Sequence, residues 1–144
     1  MKLFYIGKDG GPDSTVWGFW PVEIKSLFSI ALLCFENGSR EAFHNHAFNS
    51  LSLVLWGKLE EEVREEQTVE GLGSITTSWI NYYPIFSVVY TPRSRMHKVS
   101  SKGRSWVLTF RGPWTKTWNE FNPNTQKYST LMDGRKVIDE RSTD

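Results

Sequence analysis

The chain has 144 residues, with 17 Lys and Arg set against 16 Asp and Glu, for a net charge of +1. That length suits one domain with a sizeable buried core, and the missing net field gives no reason to expect a nucleic acid or a membrane surface as partner. A lone Cys34 excludes an intramolecular disulfide, no basic-then-apolar leader opens the chain and no apolar run could span a bilayer, so a cytoplasmic, reducing setting is expected.

Aromatic residues are frequent, and short apolar or alternating runs recur between Gly, Pro, Asn and Ser clusters. This is the pattern of an all-β sandwich or barrel. Lys2 to Ile6 forms a first strand, closed by the breaker-rich stretch Gly7 to Asp13. Strands are expected next over Leu27–Phe35, where Cys34 reads as a buried inert thiol, then over Glu41–His46 and Ser50–Leu59. The acidic stretch from Glu60 to Glu70 lacks an apolar face and reads as an exposed strand end and loop, not a helix. Further strands are expected over Ser74–Tyr82, Phe86–Tyr90, Met96–Ser100, Ser105–Arg111 and Thr115–Asn119. The basic residues between Arg93 and Lys116 read mostly as solvated loops and strand ends. Asn81 to Phe86 mixes a Pro with aromatics, as a loop, a lid or an ordinary connector does. Near the end, Asp133-Gly134 stands between two strand-like runs, the strongest hairpin signal in the chain. No repeat or linker divides the sequence, so residues 1–144 read as one domain with a C-terminal hairpin over 128–140.

The three histidines carry the chemistry. On a strand, His44 and His46 present both rings to one face. A third ring, His97, arriving from a distant strand would complete a facial set of nitrogens that leaves positions open for water, oxygen or substrate. The plainer alternative is barrel histidines bonded to water or backbone.

The stretch Phe43-His44-Asn45-His46, continuing to Trp56-Gly57, resembles the first motif of the cupins, and Pro92 through His97 resembles the second. A closer similarity is to small bacterial and phage cupin-domain proteins, carried by Ser105 to Pro113 with Trp118 shortly after. The resemblance covers residues 27–123 and implies a single cupin domain, a double-stranded β-helix or jelly-roll barrel. It leaves the reaction open, because cupins include oxygenases, isomerases, epimerases and binders without activity. Where the cupin motif supplies a Glu as fourth ligand, this chain has Ser50 with Asn49 beside it. The ligand set that remains is three neutral histidines, similar to that of the superfamily's thiol dioxygenases such as cysteine dioxygenase.

Such a set keeps the full charge of a dication and favours an anionic co-ligand. Asn49 and Ser50 are candidates to bond a metal-bound water, or are ordinary strand-entry residues. Arg93, Arg95 and Arg111 are candidates to hold an anionic substrate; taken singly, each reads as a solvated rim position. If the strand through His97 begins early, Arg93 and Arg95 share its face. Arg111 faces the cavity if Trp106, Leu108 and Phe110 pack the other side. Trp56, Trp79, Tyr82, Tyr83, Trp106 and Trp118 are expected in the core or in sheet packing.

Two functions follow. The first is a metal-dependent cupin enzyme of the non-haem iron dioxygenase type acting on a small anionic molecule, with iron(II) as metal and zinc, nickel or manganese as alternatives. The second is a non-catalytic cupin that binds or sequesters a small anionic metabolite or nucleotide. An isomerase fits less well, since no histidine is left over as base. Leu51 to Trp56 is apolar on both faces, so a homodimer is expected unless the tail from Asn119 onward covers that face.

Overall fold

Ser105, Val107, Thr109 and Arg111 are buried, while Trp106 and Phe110 between them stay exposed. That period of two marks a strand with one face on an interior. The computed structural model, which describes residues 1–39 and 42–142, repeats this alternation along most of the chain. The strands are β1 (Lys2–Lys8), β2 (Val16–Ile24), β3 (Phe28–Phe35), β4 (Gly38–Ser39), β5 (Phe43–His44), β6 (Ser50–Trp56) and β7 (Leu59–Val69). They continue as β8 (Gly73–Tyr83), β9 (Val88–Thr91), β10 (Met96–Ser101), β11 (Ser105–Arg111), β12 (Thr117–Asn122), β13 (Lys127–Met132) and β14 (Lys136–Ser142).

All pairings are antiparallel and form two sheets. One runs β1-β2-β3-β11-β6-β9. The other runs β14-β13-β12-β5-β10-β7-β8, with β4 also on β10. Between them the interior changes character along the strands. Val107 faces Val54, then Thr109 faces Ser52, then Arg111 faces Ser50. The valine end belongs to a core of Trp20, Ala31, Leu33, Val54, Leu59 and Val107. Two residues further on, the Ser52 hydroxyl donates to Thr109 Oγ1 at 2.9 Å, and the interior opens into a cavity lined by aromatic and aliphatic side chains together with polar ones.

One strand has no counterpart among the sequence expectations: Val16–Ile24 is a strand despite its internal Gly18 and Pro21, with its register shifting between Phe19 and Val22 to accommodate the break. Several other expectations need correction. The acidic stretch is not a strand end and loop but an eleven-residue strand, β7, paired along its whole length with β8 and over its first half with β10. Leu59, Glu61 and Val63 point inward there, an alternation masked by the surrounding glutamates. Of the stretch Asn81 to Phe86, Asn81 to Tyr83 ends β8, while Pro84 to Phe86 lies in the connector to β9, closed by the Ser87 N–H on Pro84 O. Trp56, Tyr82 and Trp106 lie on the surface, not in the core, because each falls on an outward position, and Trp79, opposite Val63 on the inward face, is still 39% exposed. Cys34 is buried as expected, and burial together with the nearby Glu36 carboxylate pushes its thiol up. The C-terminal hairpin turns through Asp133–Arg135, where Gly134 takes φ 76°. Its strands extend the β12 side of the second sheet and leave the first uncovered. No helix of the described residues is long and apolar enough to cross a membrane.

Candidate metal centre

The expected strand Glu41–His46 is shorter in the structure: Glu41 lies outside the described residues, and β5 ends at His44. Ladder pairing sets His44 opposite both His97 on β10 and Glu120 on β12. His46 lies past the strand, where Asn45 holds the chain. The Asn45 backbone N–H donates to Asn119 O at 3.0 Å, and its side-chain Oδ1 accepts from the Asn119 N–H at 2.7 Å. This double clamp continues the sheet edge for one residue, and the His46 ring that follows turns toward the other two.

The three rings converge. Their ring centroids stand 5.0 to 5.1 Å apart, and one nitrogen from each lies within 4.8 Å of the others. His46 Nε2 and His97 Nε2 are 2.9 Å apart. The group could hold a metal ion.

Sequence reasoning missed Glu61. It is 1% exposed and sits behind His97, whose Nδ1–H donates to Glu61 Oε1 at 2.5 Å. The other carboxylate oxygen accepts from Tyr83 Oη at 2.6 Å and Asn81 Nδ2 at 3.1 Å. Burial drives this carboxyl up, but the bonds from His97 and Tyr83, the charge on His97 and the bond from Asn81 together outweigh it and bring it down to about 2. Tyr83 moves the opposite way, to about 12, through burial and then through its bond to Glu61. An ionised carboxylate only accepts, so Nδ1 of His97 carries a proton and Nε2 is the ring nitrogen turned inward, toward the other two histidines. Metal-binding histidines are oriented in this way. The signal lay in the sequence as a carboxylate midway between Leu59 and Val63 on the inward face.

The other expected residues separate. Ser50 is buried and lines the cavity, which has a volume of about 460 Å³. Asn49 does not line it; Asn49 Oδ1 accepts from the Arg93 N–H and its carbonyl from the Gly112 N–H, pinning the loop before β6. Arg93 is exposed and Arg95 stands outside the cavity, 3.6 Å from Glu61 on its far side. Neither points toward a metal mouth. A Pro92–Arg95 turn, closed by the Arg95 N–H on Pro92 O, delays the strand until Met96. Arg111 does face the cavity, since Trp106 and Phe110 take the outer side. There it forms a bidentate pair with Asp9, at 3.0 and 2.6 Å, and stacks its guanidinium 4.7 Å from the Phe48 ring centre. Trp118 also lines the cavity, beside Trp114.

No family model and no curated protein sequence matches the chain. Solved structures do. HppE with iron(II) bound aligns with a TM-score of 0.53 at 12% identity, over 74% of this chain and 55% of that one. A variant of the Bacillus subtilis oxalate decarboxylase gives 0.52 at 12% identity, over 72% of this chain and 26% of that one. A sugar phosphate isomerase of the cupin superfamily from Silicibacter pomeroyi gives 0.54 at 11% identity, over 90% and 77%. The chain thus spans less than two thirds of the first two. At such identities the likeness speaks to architecture alone, and the architecture is the cupin jelly roll.

Proposed function

We propose that the protein is a metal-dependent enzyme of the non-haem iron type, with His44, His46 and His97 holding a divalent transition metal and a small anion as substrate. The observation that carries this is the convergence of three rings from two distant stretches of chain, with one nitrogen of each within 4.8 Å of the others. Glu61 adds support by holding a proton on His97 Nδ1, with Nε2 turned inward.

Charge favours an anion at the metal. Three neutral rings with one carboxylate behind them leave a dication partly uncompensated. Three of the cations that line the cavity are already paired, Arg111 with Asp9, Arg135 with Glu120 and Lys25 with Asp133. Arg111 Nε and Trp114 Nε1, by contrast, are buried donors without a hydrogen-bond partner among the described residues, and an oxyanion would satisfy them. Phe48, Trp114 and Trp118 wall the cavity against water, while the Ser50 and Thr109 hydroxyls offer further bonds to a substrate. When bound, the metal supplies Lewis acidity and, as iron(II), redox chemistry with dioxygen. HppE, which shares the fold, was solved with iron(II), and this supports the choice of iron(II) in the proposal over zinc, nickel or manganese.

The test is metal content of protein purified without a histidine tag, followed by oxygen uptake with candidate thiols. One equivalent of metal per chain, lost in His97→Ala together with turnover, is expected. Protein that retains no metal and takes up none on titration refutes the proposal. Metal without oxygen uptake, with small-anion binding that survives His97→Ala, selects the non-catalytic binder instead.

A further inference from the structure

The outer face of the β1-β2-β3-β11-β6-β9 sheet has no cover among the described residues. Its composition can be read row by row, because residues paired across antiparallel strands share a face. One row crosses five strands as Tyr90, Leu51, Phe110, Ile30 and Val22. The next crosses the same strands as Val88, Leu53, Leu108, Leu32 and Phe19. Ile6 on β1 extends the second row, and Trp106 opposite Trp56 begins a third. Neither of the two full rows contains a charged side chain.

The exposure is large. Tyr90 is 57% exposed, Phe110 47%, Trp56 63% and Val88 68%. With aromatic side chains at about 150–250 Å² each, the exposed part of the face comes to roughly 900 Å². Monomers rarely show a contiguous apolar patch beyond about 300–600 Å², and a standard interface buries about 800 Å² per partner. The tail is not the cover, since β13 and β14 lengthen the opposite sheet.

We infer that this face is the interface with a second copy of the chain. Two sheets meeting face to face across a two-fold axis bury the same rows on both sides, so the area each copy exposes is the area its partner needs. With no charge in the two full rows, a face meeting its own copy there encounters neither like-charge repulsion nor a buried unpaired ion. The interface lies on the outer side of the sheet whose inner side lines the cavity, so it is independent of the metal proposal.

Light scattering on the full chain tests this. The expected mass is twice the 16.7 kDa of one chain at micromolar concentration. Phe110→Glu and, separately, Leu51→Lys should each lower the dimer affinity by at least 100-fold and give a 16.7 kDa species with an unchanged far-ultraviolet spectrum. Both positions are exposed in one chain, so folding survives either change. In hydrogen exchange, β6 and β11 should lose protection on dilution while β7 and β10 do not. A wild-type chain that stays monomeric at 100-fold higher concentration overturns the inference, and so does a dimer that persists in both variants. Binding of the monomer to lipid vesicles or to a different protein would identify another occupant and overturn it equally.

Discussion

Replacing Glu61 by Gln tests how far the metal centre depends on a residue that does not touch the metal. The carboxylate serves three donors, with Oε1 on His97 Nδ1 and Oε2 shared by Tyr83 and Asn81. A glutamine has one acceptor oxygen and one donor nitrogen. If the oxygen stays on His97, the amide nitrogen confronts Asn81. If it turns away, the nitrogen meets Nδ1 and drives the proton to Nε2, the atom needed for coordination. Changing the partner of a ligating histidine typically costs about 10- to 100-fold in metal affinity, or about 1.4–2.7 kcal/mol. The metal-free fold loses charge-assisted bonds worth about 1.5–3 kcal/mol each, offset in part because a buried charge also disappears. A net loss of about 3 kcal/mol lowers Tm by roughly 10 °C for a chain of this size. Calorimetric titration of metal-free protein with cobalt(II) or zinc(II), alongside thermal melting, measures both quantities. A Gln variant that binds either metal within twofold of wild type would refute the orienting role.

Two further outcomes follow from the same interior. Asp9→Ala strips the buried Arg111 guanidinium of its bidentate partner and should cost about 2–4 kcal/mol, read from urea unfolding; an unchanged midpoint would mean that the β1–β2 turn does not hold that arginine in solution. Glu61, held at about 2 against an ordinary value of 4.5, binds fewer protons folded than unfolded between those limits. Its contribution, about 3 kcal/mol, is therefore complete above pH 4.5 and is lost as pH falls toward 2. Urea midpoints at pH 5, 4 and 3 should fall more steeply for wild type than for Glu61→Gln, and parallel curves would contradict the assignment.

Period-two alternation made most of the fold legible before any coordinates. Ser105 to Arg111 declared its two faces outright, and the His-x-His spacing with a distant His97 declared the three rings that meet. The limits of that reading are equally specific. Glu61 was hidden among glutamates of the same strand, since nothing local distinguishes a carboxylate that turns inward from one that faces water. Arg93 and Arg95 looked like neighbours of His97 by number, but a turn at Pro92 put them outside the cavity. Val16 to Ile24 contained two breakers, and only pairing with β1 and β3 made it a strand.

Residue order by itself determined the all-β class, the three candidate ligands and the inward side of β11. Those properties depend on backbone periodicity and side-chain chemistry, which are local. The tertiary structure alone decided which acid orients His97, which arginine reaches the cavity and which sheet face is left bare. Each of these depends on what an antiparallel ladder sets opposite a given residue, and the opposing strand comes from a distant part of the chain.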